Sequence, residues 1–146
     1  MEEAAQFLGK FLRRTGRVVR GDGRGKLLGY PTANLSCNPE LIYPANGVYL
    51  TMTQIDNSCY ASLTNVGVKP TFSDNNSLVM ETHILNFNGE IYFKEIFIFF
   101  LERIRPEKKF ANESLLKKQI EEDIQLAYKV IANKYERQLQ LNKVTL

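Results

Sequence analysis

The sequence predicts a mainly β fold, an antiparallel barrel or sandwich closed by one long helix. Three observations carry that prediction. Short β-branched and aromatic stretches alternate with Gly, Pro, Asn and Asp through the middle of the chain, an Asn-Gly turn signal sits between two of them, and helical periodicity takes over after Pro106.

With 146 residues, 44% of them apolar and 24% charged, the chain has the size and composition of one globular domain. The most apolar run, Ile96 to Leu101, is of strand length and far short of the roughly 18 residues that span a bilayer, so no membrane partner is expected. Met1-Glu2-Glu3-Ala4-Ala5 lacks the basic start and apolar stretch of a secretory signal, which predicts a cytoplasmic protein. Cys37 and Cys59 form no CxxC pair, so no zinc site is expected and a reducing compartment is consistent.

Taken in order, Ala4, Phe7, Leu8, Phe11 and Leu12 fall on one face of a leading helix over residues 4–14. Strands are expected at Gly16 to Arg20, Gly47 to Ile55, Cys59 to Val66, Ser77 to Phe87 and Glu90 to Arg103. Asn88-Gly89 tolerates the positive φ angles of a two-residue type I′ turn, so the strands on either side of it are expected to pair. Ile96 to Leu101 is apolar at every position, which predicts a strand covered on both faces and lying under a helix. Beyond Pro106, Asn112 is placed to cap a helix whose stripe is Leu116, Ile120, Ile124, Ala127, Ile131 and Tyr135. That stripe is expected to pack on the sheet. The organisation expected is a linker helix over residues 1–15 and one domain over residues 16–140.

The net charge of +3 is unevenly placed. Between Lys10 and Lys26 seven basic residues face a single acid, Asp22, which points to an anionic partner such as phosphate, or else to a solvated charged face. Gly21-Asp22-Gly23-Arg24-Gly25-Lys26 has neither GxxxxGK[ST] nor GxGxxG spacing, which excludes P-loop and Rossmann sites. Its glycines still let backbone N–H groups approach phosphate oxygens, although a basic hairpin tip would look similar. Thr32 and Asn34 offer two hard oxygens on one side of an extended segment, which suits Mg²⁺; a Ser/Thr or Asx turn before Leu35 fits the same residues.

Glu81 alternates in phase with Val79, His83, Leu85 and Phe87, a carboxylate among apolar neighbours. Burial there would raise its pKa toward the range of a general base; a glutamate paired with a nearby cation is the plainer reading. His83 is the only histidine and reads as a hydrogen-bonded packing residue. One histidine excludes an HxGH nucleotidyltransferase site in this chain, and no GxSxG segment supports a Ser-His-Asp hydrolase.

Several segments together resemble the riboflavin kinase family, including the kinase domain at the C-terminal end of bacterial bifunctional FAD synthetases. They are Gly21-Asp22-Gly23-Arg24-Gly25, Leu28-Gly29-Tyr30-Pro31-Thr32-Ala33-Asn34, Gly47-Val48-Tyr49, Asn65-Val66-Gly67-Val68-Lys69-Pro70-Thr71-Phe72, Glu81-Thr82-His83-Ile84-Leu85, and Ile104-Arg105-Pro106-Glu107-Lys108-Lys109-Phe110, in the family's order over residues 16–130. The resemblance implies a six-stranded Greek-key barrel with a long C-terminal helix and a short N-terminal one. It also implies transfer of the γ-phosphate of ATP to the ribityl 5′-hydroxyl of riboflavin, giving FMN and ADP with Mg²⁺ or another divalent cation. By similarity Thr32 and Asn34 hold the metal and Glu81 accepts the hydroxyl proton. Arg20, Gly21, Gly23, Gly25, Lys26 and Pro31, with Thr32 and Asn34, meet the nucleotide, and Arg105, Glu107 and Phe110 form the flavin end.

Two positions depart from the family: Phe93 and Ser73 stand where glycine is common. Leu8-Gly9-Lys10-Phe11-Leu12 resembles the linker of the bifunctional enzymes, which implies an N-terminal FMN adenylyltransferase domain in the full-length protein. The expected partners are ATP and riboflavin, without nucleic acid or membrane. Two rival readings are a nucleic-acid-binding barrel, which explains the basic stretch but not Glu81, and a catalytically silent domain that only binds flavin nucleotide.

Overall fold

The computed structural model describes residues 7–21, 23–70 and 76–146. Strands β1 (Leu12–Val19), β2 (Ala33–Leu35), β3 (Gly47–Ile55), β4 (Ser58–Pro70), β5 (Asn76–Ile84) and β6 (Glu95–Arg105) form a closed six-stranded barrel in the order β1-β2-β5-β4-β3-β6. Every neighbouring pair is antiparallel. Closure removes unpaired edges and decides for the barrel over the sandwich.

Strand β3 illustrates how residue choice builds two cores. It is buried at every position except Gln54. Val48, Leu50 and Met52 point outward to Ala127, Ile131 and Leu139 of the C-terminal helical segment. Tyr49 and Ile55 point inward to Val66, Met80, Ile96 and Ile98. Thr51 and Thr53 also point inward, where buried hydroxyls satisfy one another in a chain: Thr53 to Ser62 at 2.7 Å, Ser62 to Thr51 at 2.7 Å, Thr51 to Thr64 at 2.8 Å and Thr64 to Thr82 at 2.9 Å. Strand β6 divides in the same way, with Ile96, Ile98 and Phe100 inside and Phe99 under the helices, so the run from Ile96 to Leu101 is covered on both faces as expected.

The C-terminal cover is segmented. Asn112 caps α2 (Glu113–Val130), its side-chain oxygen accepting from the Leu115 N–H at 2.9 Å. A π-helical turn (Ile131–Tyr135) and a further helix (Glu136–Leu141) follow without a break, so the long helix that the stripe predicted is present with a π turn in it. The physical reason lies in the spacing. Ala127, Ile131, Tyr135 and Leu139 recur every four residues, more than the 3.6 of an α-turn, and the wider π turn keeps them facing the barrel.

One expectation is cut short and another fails. The leading helix over residues 4–14 is helical only at Phe7 and Leu8 among the described residues, and Leu12 already belongs to β1; Ala4 lies outside them. Closing the barrel requires β1 to pair with β6 from Leu12↔Phe100 to Arg17↔Glu95, and that ladder overrides helical spacing. The Asn88-Gly89 hairpin also does not form. Strand β5 ends at Ile84, β6 begins at Glu95, and the two are not neighbours: β5 pairs with β4 and β2, β6 with β3 and β1. Left-handed φ falls instead at Asn86 (52°) and Phe93 (67°). The two-residue hairpin is Asp56-Asn57, between the partners Ile55 and Ser58, with Asp56 at φ 53°.

Candidate active site

One row of cross-strand partners builds the site. Asn34 on β2 stands opposite Glu81 on β5, Glu81 opposite Asn65 on β4, Asn65 opposite Val48 on β3, and Val48 opposite Arg105 on β6. Directly opposed residues share a face of the sheet, so these side chains from five strands lie side by side on the outside of the barrel. There the row meets α2. Between sheet and helix lies a cavity of about 530 Å³ whose walls include Val48, Asn65, Glu81, Arg105, Phe110, Leu116, Ile120 and Asp123. That volume lies within the range of about 300–1,000 Å³ usual for small-molecule sites.

Glu81 does not sit among apolar groups as its alternation predicted. Its side chain is 25% exposed, its cross-strand neighbours are two asparagines, and Lys69 Nζ lies 3.1 Å from its Oε1. The pairing with a nearby cation holds, and a role as base rests on placement.

His83 is a brace. Its Nδ1 is 2.8 Å from the carbonyl of Pro31, so an Nδ1–H donating there pins the backbone just before Thr32. Tyr30 packs edge-on against His83 at 5.7 Å, and its hydroxyl donates to Glu121 on α2 at 3.1 Å. Loss of solvation, then the Glu121 carboxylate as hydrogen-bond acceptor and as charge, push the Tyr30 hydroxyl above its ordinary pKa.

The glycine loop packs on this braced segment. A Cβ on Gly21 would lie 2.1 Å from Asn34 Nδ2 and displace that amide, and one on Gly25 would lie 2.5 Å from the Tyr30 carbonyl, a backbone atom that leaves no room for a side chain. Gly23 differs: at φ 71° it needs the left-handed region rather than space. The loop then turns into α1 (Arg24–Leu27), one helical turn that carries Lys26 on its exposed side. Asp22 lies outside the described residues, as do Thr71, Phe72 and Ser73.

Of the residues expected to meet the nucleotide, Gly25 and Thr32 line the cavity; Arg20, Gly21, Gly23, Lys26, Pro31 and Asn34 are not among its walls. Arg20 is exposed, its guanidinium 5.7 Å from the Tyr92 ring centre. Arg105, Glu107 and Phe110 all line the cavity. Arg105 is committed within the protein, however: Nε donates to Asp123 at 2.8 and 3.0 Å, NH2 to Asp123 at 2.9 Å and NH1 to the Pro106 carbonyl at 3.0 Å. Gln119 completes the Asp123 shell at 2.9 Å. This ion pair ties β6 to α2 and forms one wall.

Asn34 stands opposite Glu81 and Thr32 lines the same cavity as that carboxylate, so both supply neutral hard oxygens to this part of the structure. Such a set is too sparse to enclose a cation but fits Mg²⁺ shared with phosphates, which takes one or two protein ligands and keeps several waters. Among the described residues no group of three or more His, Cys, Asp and Glu side chains forms a metal site.

Sequence reasoning missed Asn65, Tyr30 and Asp123. Asp123 had a signal, since it falls on the apolar stripe between Ile120 and Ala127. Tyr30 and Asn65 stand in segments that resemble the family, but the sequence assigned them no role; pairing and packing supply it.

Comparison with known proteins bears on the family and the fold. The riboflavin kinase (Flavokinase) family matches residues 8–131. The bifunctional riboflavin kinase/FMN adenylyltransferase of Listeria monocytogenes is 37% identical over 86% of this chain and 40% of its own length. A Bacillus subtilis protein named RNA-binding riboflavin kinase is 35% identical over 75% of this chain and 46% of its own. A Streptococcus pneumoniae structure described as a macrolide-efflux protein superposes with TM-score 0.77 at 35% identity, over 86% of this chain and 41% of that one. Riboflavin kinase from Trypanosoma brucei shares the fold with TM-score 0.61 at 23% identity, over 87% of this chain and 81% of that one. The chain therefore spans less than half the length of the bifunctional relative it matches. No helix among the described residues is long and apolar enough to cross a membrane.

Proposed function

Because the chain belongs to the riboflavin kinase family, we propose that it transfers the γ-phosphate of ATP to the 5′-hydroxyl of riboflavin, producing FMN and ADP. The observation that carries this reading is the row Asn34, Glu81, Asn65, Val48 and Arg105 on one face of the sheet, with a ligand-sized cavity over it. A carboxylate at the wall of a cavity, one strand from hard oxygen ligands, is what phosphoryl transfer to an alcohol needs, because catalysis there is mostly positioning and charge stabilisation.

In this proposal Glu81 accepts the proton of the attacking hydroxyl, and Lys69 holds its carboxylate in place. Thr32 and Asn34 would hold Mg²⁺, which when bound would supply positive charge to offset that of the phosphates. Gly21, Gly23, Gly25 and Lys26 cover the nucleotide phosphates, with Arg20 and Pro31 beside them. Glu107 and Phe110 meet the flavin, and Arg105 acts by fixing the wall against Asp123 rather than by direct contact. His83 and Tyr30 hold Thr32 in register.

The further proposals concern the whole protein: an N-terminal FMN adenylyltransferase domain in the full-length chain, a cytoplasmic location, and ATP and riboflavin rather than nucleic acid or membrane as partners. Lys10, Arg13 and Arg17 are exposed, so the nucleic-acid part has its own check. Salt-sensitive oligonucleotide binding would overturn it.

The deciding experiment incubates the chain with riboflavin, ATP and Mg²⁺ and separates FMN from riboflavin. Equimolar FMN and ADP are expected; a folded chain that makes neither overturns the reading.

A further inference from the structure

We infer that Asn65 is a substrate-positioning residue: its side-chain oxygen accepts a hydrogen bond from a secondary hydroxyl of the ribityl chain and so presents the terminal hydroxyl to Glu81. The inference rests on the kinase reading above and deepens it at one residue.

Asn65 Oδ1 is buried and has no hydrogen-bond partner among the described residues. Buried acceptors are nearly always paired, because one left bare loses its hydration for nothing in return. Asn65 lines the cavity, with Val48 beside it on β3 and Glu81 opposite it on β5. The missing partner is therefore sought in the ligand.

The atom's chemistry narrows what that ligand offers. An amide oxygen is an acceptor only and addresses O–H or N–H groups, not phosphate oxygens. Of the two substrates, riboflavin carries a run of neighbouring hydroxyls on the chain whose end reacts. Directly opposed residues on a sheet have Cβ atoms about 4.5–5.5 Å apart. Asn65 and Glu81 thus stand close enough to engage two hydroxyls of a single extended polyol. Glu81 takes the reacting one, and Asn65 takes one further along the chain. The same acceptor disfavours flavins whose side chain lacks that hydroxyl, because binding them would leave the buried Oδ1 bare.

The test compares the unsubstituted chain with Asn65→Leu, similar in size without the acceptor, and with Asn65→Ala. Riboflavin affinity is read by quenching of flavin fluorescence, the KM for Mg²⁺-ATP by steady-state kinetics and stability by Tm. The expected result is riboflavin affinity lower by about 10-fold in both variants, with the KM for ATP and the Tm unchanged. If Asn65→Leu fails to fold, Asn65→Ala alone decides. Unchanged riboflavin affinity, or parallel losses for riboflavin, ATP and Tm, overturns the inference, the second outcome marking a structural residue. An unsubstituted chain that binds no riboflavin removes the kinase reading and this inference with it. One that makes FMN while its Asn65 variants bind riboflavin equally well removes only the inference.

Discussion

Glu81 lies directly opposite Asn34 in the antiparallel pairing of β5 with β2, so the proposed base and a proposed metal ligand occupy adjacent places on one face of the sheet. Glu81→Gln preserves that geometry and the shape of the side chain while removing its capacity to take a proton. FMN formation should fall by about 10²–10⁴-fold, with far-UV circular dichroism and Tm retained. Turnover within a few-fold of the parent would remove Glu81 from the chemistry.

Gly21 is expected to be sensitive for a reason other than flexibility. Its missing side chain leaves room for the Asn34 amide, which a Cβ would meet at 2.1 Å. Gly21→Ala should displace Asn34 and lower kcat/KM for Mg²⁺-ATP by roughly 10- to 100-fold, as angstrom-scale misplacement of a positioning group does. Riboflavin binding should be untouched. Equal effects on both substrates would point to a general disturbance of the loop.

The Arg105–Asp123 pair should matter most for stability. Both side chains are largely buried, 19% and 6% exposed, and three Arg105–Asp123 hydrogen bonds join β6 to α2. Asp123→Ala leaves a cation unpaired and should cost about 3–5 kcal/mol, read as a lower urea midpoint with unchanged slope. Joint replacement by Arg105→Met and Asp123→Leu should recover much of that loss. A double variant no more stable than Asp123→Ala would mean that the charge pair is not the source of the effect.

Phe93 occupies a left-handed position, φ 67°, and is 63% exposed. A residue with a Cβ there costs about 1–2 kcal/mol, and glycine loses about 0.5–1 kcal/mol through the entropy of its unfolded chain. Phe93→Gly should therefore be neutral or mildly stabilising despite the loss of an aromatic ring. Phe93→Val, β-branched at the same φ, should be clearly destabilising. Thermal melts of both variants give the comparison, and a Phe93→Val melt above that of Phe93→Gly would contradict it.

Burial pushes the thiols of Cys37 and Cys59 up from their ordinary value, opposed at Cys37 by hydrogen bonds from Tyr43 and the Met80 backbone. The folded state therefore holds these protons more tightly than the unfolded chain does. Their contribution is constant below the ordinary thiol range, and stability falls as pH rises through and above it. Iodoacetamide at pH 8 should label both cysteines slowly in the native protein and rapidly in denaturant. Fast native labelling of either would place that thiol in solvent.

Much of this molecule was legible in its residues. Strand β3 was bounded to the residue by Gly47 and Ile55, and the unbroken apolar run of β6 announced cover on both faces. The cap Asn112 and the stripe of α2 were equally plain. These features are local, and their periodicities survive whatever the rest of the chain does. What failed was non-local. Asn88-Gly89 is a sound hairpin signal, yet in a closed barrel each strand has two neighbours, and those of β5 are β4 and β2. Residues 4–14 have helical spacing, yet from Leu12 onward β6 needed a partner along its length.

The candidate site divides in the same way. The amino-acid sequence by itself determined the mainly β fold, the chemistry available at Thr32, Asn34 and Glu81, and the absence of a second histidine for adenylyl transfer. Only the tertiary structure decided that Asn34, Glu81, Asn65, Val48 and Arg105 form one row, that Arg105 is committed to Asp123, and that Asn65 offers a bare acceptor to the cavity. Strand register brings together residues dozens of positions apart, and a slip of one residue would turn alternate side chains to the other face. That register is set by closure of the whole barrel, which no single segment encodes.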